Sequence, residues 1–146
     1  MNPTIDKVLG SKKLAVVGAS EDKRSFGNVA YRELKARGFD LTPVNPRYPE
    51  VAGDKCYKSL TDLPMGVDSA LFVLAPKAAV SAVAEARAAG IKYIWFQQMA
   101  DYATAVRAAE AVGIETVSKK CILMYAQPVQ GFHSFHRFLN KMVGRL

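Results

Sequence analysis

Leu14-Ala-Val-Val-Gly-Ala-Ser-Glu-Asp-Lys-Arg-Ser-Phe-Gly27 is the stretch that decides the fold. Residues 14–17 form a short apolar run without alternation, the pattern of a strand covered on both faces. Gly18 closes the run. From Phe26 the spacing changes, with apolar side chains at Phe26, Val29, Ala30 and Leu34 recurring at helical intervals. A strand, a polar turn and a helix thus follow one another. In a parallel α/β sheet such a turn offers backbone N–H groups and the positive end of a helix to an anion.

The same alternation continues outward. Gly38 stops the first helix, and Phe39-Asp-Leu-Thr-Pro-Val44 reads as a second strand closed by Asn45-Pro46. A turn-rich connection runs to Pro64. Ser69-Ala-Leu-Phe-Val-Leu74 is a third strand, Pro76 suits a first helical turn, and residues 78–89 form an alanine-rich helix ended by Gly90. Lys92-Tyr-Ile-Trp-Phe96 supplies a fourth strand, residues 101–112 a helix stopped by Gly113, and Ile114-Glu-Thr-Val117 a fifth strand. Residues 2–9 read as a short helix leading into the first strand. This order predicts an α/β fold, a Rossmann-like α/β/α sandwich of three layers around a mostly parallel five-stranded sheet. Phe132, Phe135, Leu139, Met142 and Val143 share one helical stripe, which predicts an extra C-terminal docking helix over residues 131–143.

With 146 residues, half of them hydrophobic, the expectation is a single domain over 1–146 with a substantial core. The net charge of +7 favours polyanionic partners. Its lysines and arginines are scattered, however, which argues for a small phosphorylated ligand and against nucleic acid. No apolar run approaches the roughly 18 residues of a membrane span, and residues 1–13 lack an apolar core followed by a cleavage site. A cytoplasmic protein with no membrane partner is the expectation, and Cys56 and Cys121 read as free thiols.

In the turn after the first strand, Gly18 allows a tight bend, Ser20 and Ser25 offer hydroxyls, and Lys23 and Arg24 can neutralise phosphate. The loop is longer than a G-x-G-x-x-G turn, and its plainer reading is a solvated loop with a helix cap. The second strand adds a discriminating feature. An NAD site places an acidic residue there to hold the ribose, whereas this strand ends Pro43-Val44-Asn45-Pro46-Arg47. Arg47 instead suits an extra phosphate, as in NADP or coenzyme A.

Taken in order, several segments make the chain resemble the small CoA-binding-domain proteins, relatives of the CoA-binding part of the succinyl-CoA synthetase alpha subunit. They are Leu14-Ala-Val-Val-Gly-Ala-Ser20 with Ser25, Gly38-Phe39 before Pro43-Val-Asn-Pro-Arg47, Tyr57-Lys-Ser-Leu-Thr-Asp-Leu-Pro64, Val67-Asp68, Trp95-Phe-Gln97, and Ala111-Val-Gly-Ile-Glu-Thr-Val117 leading to Cys121. The resemblance implies coenzyme A or an acyl-CoA as ligand. It implies that Gly18, Ala19, Ser20, Arg24 and Ser25 surround the pyrophosphate, with Lys23 beside them, and that Val44, Asn45, Pro46 and Arg47 hold the adenosine end. Leu74, Ala75, Pro76 and Val80 would border the adenine or the pantetheine arm, and Gln97 would line the crevice. The family pattern often carries a more polar end to the third strand and an acidic residue and a His after the Cys; here Phe72-Val73-Leu74-Ala75 and Cys121-Ile-Leu-Met-Tyr-Ala stand instead.

No nucleophile, base and orienting group stand out as a set, so no catalytic residue is assigned. His133 and His136 with Cys121 are a weak metal-ligand set without a fourth member, and none is expected to hold a metal. Cys121 invites a mixed disulfide with the CoA thiol, but the plainer reading is a small core residue. The function expected is a carrier, sensor or regulatory module that binds CoA without catalysis of its own. The alternative is an NADP- or CoA-dependent enzyme subunit that needs a partner chain. A homo-oligomer or a partner enzyme subunit are the protein partners left open.

Overall fold

A computed structural model describes residues 2–11 and 13–127. The expected helix over 131–143, with His133 and His136, lies outside the described residues. The main sheet has five parallel strands: β1 (Lys13–Val17), β2 (Asp40–Val44), β5 (Ser69–Phe72), β6 (Tyr93–Gln97) and β7 (Glu115–Lys120), in the order β2-β1-β5-β6-β7. Four helices cover it, α1 (Pro3–Gly10), α2 (Phe26–Ala36), α3 (Pro76–Ala88) and α4 (Ala103–Ala111). Side chains of one sheet face, among them Leu14, Val16, Leu71 and Trp95, share a core with Ile5 and Val8 of α1 and with Ala30, Tyr31 and Leu34 of α2. The opposite face, including Ala15, Ala70, Phe72 and Phe96, packs on Ala79, Val83 and Ala86 of α3 and Ala105 and Ala109 of α4. The chain is therefore a Rossmann-like three-layer α/β fold.

Within the described residues, each expected strand and helix is present. The rhythm comes from how the helices end. At the end of α2 the N–H of Gly38 bonds Lys35 O and that of Phe39 bonds Leu34 O, a pairing that needs the left-handed backbone Gly38 adopts at φ +91°. The same two bonds recur at Gly90 with Ile91 and at Gly113 with Ile114, so three times the chain leaves a helix and turns at once into the next strand. Pro76 opens α3 at its first turn, where its missing N–H costs nothing. Because the connection from β1 leads to β2 on one side and that from β5 leads to β6 on the other, the two diverge, which opens a crevice at the carboxyl ends of β1 and β5.

The turn-rich connection after β2 holds more order than its composition suggests. It forms a two-stranded hairpin, β3 (Glu50–Val51) and β4 (Asp54–Lys55), and then a single 3-10 turn at Leu60–Asp62. Strands of two residues are too short for a period to show. What fixes the hairpin is its polar attachment to α2: the Tyr31 hydroxyl donates to Asp54 Oδ2 at 2.6 Å, and Lys35 Nζ reaches Ala52 O at 2.8 Å and Asp54 at 3.2 Å. Behind α2, the buried Arg37 pairs with Glu33 at 2.9 Å and donates from Nη1 to the carbonyls of Leu123 and Ala126, tying the segment after β7 to the helix.

Burial and the neighbouring Asp54 carboxylate push the Tyr31 phenol well above its usual value, and burial raises Tyr102 too. A phenol that is harder to ionise in the folded than in the unfolded chain stabilises the fold fully below a pH of about 10, and that stability is lost as pH rises further. Tyr31→Phe is expected to lower unfolding free energy at neutral pH by about 1–2 kcal/mol and to flatten the alkaline loss. Urea unfolding from pH ~8 to ~11 checks this; an equal alkaline slope in both proteins would contradict it.

Candidate functional site

The site is built around close backbone approaches at the end of β1. Gly18 has φ +101°, and a Cβ there would lie 2.0 Å from the Val73 carbonyl oxygen. Gly27, in the first turn of α2, is as tight: a Cβ would lie 2.2 Å from Gly18 O. Both distances are far inside contact, so the end of β5, the turn and the helix meet only because two side chains are missing. Ser25 caps α2, accepting from Asn28 N at 3.2 Å and donating to Asp22 O at 2.8 Å. Ser20 Oγ accepts from Asp22 N at 2.9 Å and meets the Tyr48 hydroxyl at 3.3 Å, while Asn28 Nδ2 donates to Ser20 O. The hydroxyls of Ser20 and Ser25 thus shape the loop. Among the described residues the N–H groups of Ala19, Ser20, Phe26 and Gly27 have no partner, leaving donors for an anion.

A second wall comes from the end of β2. Asn45 Nδ2 donates to Ala19 O and its Oδ1 accepts from Arg47 N, both at 2.9 Å, so one side chain joins the two turns. Beneath it the Cys56 thiol donates to Asn45 O at 3.5 Å, and burial raises its pKa, which suits a buried neutral thiol. The third wall follows β5. Tyr102 is buried, and its hydroxyl both donates to Leu74 O and accepts from Leu74 N at 3.2 Å, fixing the turn into α3.

Between these walls lies a cavity of about 330 Å³. Val17, Gly18, Val44, Asn45, Pro46 and Leu74 form its mouth and sides. Ala78, Ser81, Ala82 and Glu85 of α3, with Lys58 opposite, complete it. Of the residues expected to bind, Gly18, Val44, Asn45, Pro46 and Leu74 line this crevice, and Ala19, Ser20 and Ser25 sit in the loop above it. Lys23, Arg24 and Arg47 are exposed at its rim. Arg24 is turned onto Asp22 at 3.2 Å, which holds the Asp22 carboxyl below the usual carboxylate range. Ala75 and Pro76 begin α3 beyond Leu74 and are exposed.

Three expected residues, Pro76, Val80 and Gln97, sit elsewhere. Val80 faces the α4 side of α3, lining a hollow with Pro76, Tyr102 and Thr104. Gln97 is buried and uses its Oε1 to accept from Ile122 N at 3.0 Å, pinning the turn after β7. Cys121 is half-buried beyond β7, two strands from the crevice, whereas Cys56 lies directly against the Asn45 segment. A larger hollow of about 530 Å³ between α3 and α4 is lined by Val83, Ala84, Ala88, Ala108, Val112 and Arg87. It lies off the carboxyl edge and brings few polar groups together, so the smaller crevice is the better candidate for a charged ligand. Among the described residues no group of three or more His, Cys, Asp or Glu is arranged to hold a metal. No helix among them is long and apolar enough to cross a membrane.

Sequence reasoning missed Tyr48, Lys58, Ser81, Glu85 and Tyr102. A signal existed for two of them: Ala78, Ser81, Ala82 and Glu85 recur at helical spacing, but the segment reads only as an alanine-rich helix.

Comparison with known proteins agrees with this geometry. Residues 12–127 match the family described as CoA binding domain, and the chain belongs to that family. It is 28% identical over 130 residues to acetate–CoA ligase [ADP-forming] I of Archaeoglobus fulgidus, covering 82% of this chain and 19% of that protein. It is 35% identical over 89 residues to the acetate–CoA ligase [ADP-forming] II subunit alpha of Pyrococcus furiosus, covering 60% of this chain and 20% of that one. The chain thus spans about a fifth of the length of these curated relatives. Among solved structures, a conserved hypothetical protein from Pyrococcus furiosus superposes with a TM-score of 0.72 at 41% identity, over 75% of this chain and 95% of that one.

If the crevice depends on the missing Cβ of Gly27, Gly27→Ala must push α2 away from the first turn. The expected cost is roughly 1–3 kcal/mol in urea unfolding, despite the better helix propensity of alanine. Unchanged or increased stability would contradict the close approach.

Proposed function

We propose that the chain binds coenzyme A with its nucleotide end in the crevice between β1 and β5, and acts as a CoA carrier, sensor or regulatory module. The observation that carries this reading is the cluster of unpartnered N–H groups at the Gly18 turn, beside a crevice of nucleotide-ring size at the switch point of a chain from the CoA-binding-domain family. Ala19 and Ser20, with Phe26 and Gly27 at the helix start, offer the diphosphate backbone donors, while Gly18 and Ser25, whose N–H groups bond Val44 O and Asp22 O, shape the turn around it. Lys23 and Arg24 add charge, Arg24 exchanging Asp22 for phosphate. Val44, Asn45 and Pro46 border the adenosine, Arg47 meets its 3′-phosphate, and Leu74, with Ala75 next to it, flanks the opposite side. No group in this arrangement is set up to break or form a bond at the thiol end. Whether the thiol carries an acyl group makes no difference to these contacts, so CoA and acyl-CoA should bind alike.

A second reading is the enzyme subunit that works with a partner chain. It is favoured by one fact: the match covers only about a fifth of each of these longer relatives, and one is named as a subunit alpha. The crevice would serve the same ligand there, with the chemistry supplied by other domains.

Calorimetric titration with CoA, acetyl-CoA, dephospho-CoA, NAD, NADP and a generic oligonucleotide at physiological salt tests the proposal. CoA and acetyl-CoA should bind at micromolar or tighter affinity. Arg47→Ala should weaken CoA roughly tenfold, about 1.4 kcal/mol, and leave dephospho-CoA nearly unaffected. NADP binding without CoA binding would sink the reading.

A further inference from the structure

Four residues of α3 line the crevice at positions i, i+3, i+4 and i+7, namely Ala78, Ser81, Ala82 and Glu85. Three are small and leave open space along the helix. The fourth, Glu85, is a partly buried carboxylate at the wall of an otherwise largely apolar slot. It is also held in place. Ser59 Oγ donates to Glu85 Oε1 at 2.6 Å, while the same hydroxyl accepts from Thr61 N at 3.2 Å and so caps the 3-10 turn. One hydrogen bond leaves most of a carboxylate's acceptor sites open. Beside Ser59 in the chain, Lys58 reaches the crevice and makes no ion pair among the described residues.

A flat apolar slot ending in a fixed acceptor and flanked by a cation selects a ring that carries a hydrogen-bond donor on its edge and a phosphate nearby. Resting on the CoA reading above, we propose that Glu85, oriented by Ser59, determines base specificity by accepting from the exocyclic amine of adenine. Lys58 attracts the ligand's phosphate without reading the base. A ring with a carbonyl in place of the amine would face the carboxylate oxygen to oxygen and be rejected.

The test compares CoA with its deaminated analogue, in which hypoxanthine replaces adenine, on the whole chain by calorimetry. Wild type should prefer CoA at least tenfold. Glu85→Gln keeps an oxygen for Ser59 and adds an amide donor, so the preference should fall to near one or invert. Ser59→Ala frees the carboxylate without removing it and should shrink the preference partway, which guards against a Gln variant that folds poorly. Lys58→Ala should weaken both ligands equally. No discrimination in wild type, or an unchanged ratio in both Glu85→Gln and Ser59→Ala, overturns the assignment of Glu85 and leaves CoA binding standing. No binding of CoA by wild type overturns both.

Discussion

Two absent methyl groups organise this protein. The carbonyl of Val73 occupies the place a side chain on Gly18 would take, and the carbonyl of Gly18 occupies the place of one on Gly27. Through these contacts the end of β5 touches the end of β1, and that end in turn supports the start of α2. A Cβ at either glycine would force backbone against backbone, which no rotamer change can relieve. The consequence is a loop held tightly against the carboxyl edge of the sheet.

Around that contact, side chains bonded to other groups of the protein set the shape of the crevice. Asn45 ties the second turn to the first, Cys56 supports Asn45 from below, and Tyr102 holds both backbone groups of Leu74. Each is satisfied by groups of the protein. A ligand therefore meets walls fixed in advance, which lowers the ordering cost of binding. The positive residues behave differently. Lys23, Arg24 and Arg47 are exposed at the rim, suited to attracting an anion and adjusting to it.

The layers of the fold were legible because they depend on local rules. Unbroken apolar runs marked the buried strands, and Gly38, Gly90 and Gly113 marked helix ends whose hydrogen bonds require them. The turn at Gly18 was legible for the same reason, since Gly18 and the helix start lie within one short stretch. What stayed hidden depends on distant pairings. Glu85 joins the crevice only because Ser59, 26 positions earlier, returns to meet it. Gln97, at a strand end that normally faces ligand, was claimed instead by the backbone of Ile122. The two cysteines differ for a like reason: the strand order sets Cys121 two strands away from the crevice, whereas Cys56 supports it through Asn45. The hairpin at β3 and β4 was hidden by its brevity, being held by Tyr31 and Lys35 rather than by any pattern of its own.

The crevice at Gly18 and the larger hollow between α3 and α4 make opposite demands on a ligand, one polar and charged, the other apolar. Mapping backbone amide shifts by heteronuclear NMR during a CoA titration separates them directly. The largest changes should fall on Gly18, Ala19, Ser20, Asn45, Leu74 and Glu85. Changes concentrated on Ala84, Arg87, Ala88 and Ala108, with the Gly18 turn unmoved, would contradict the account.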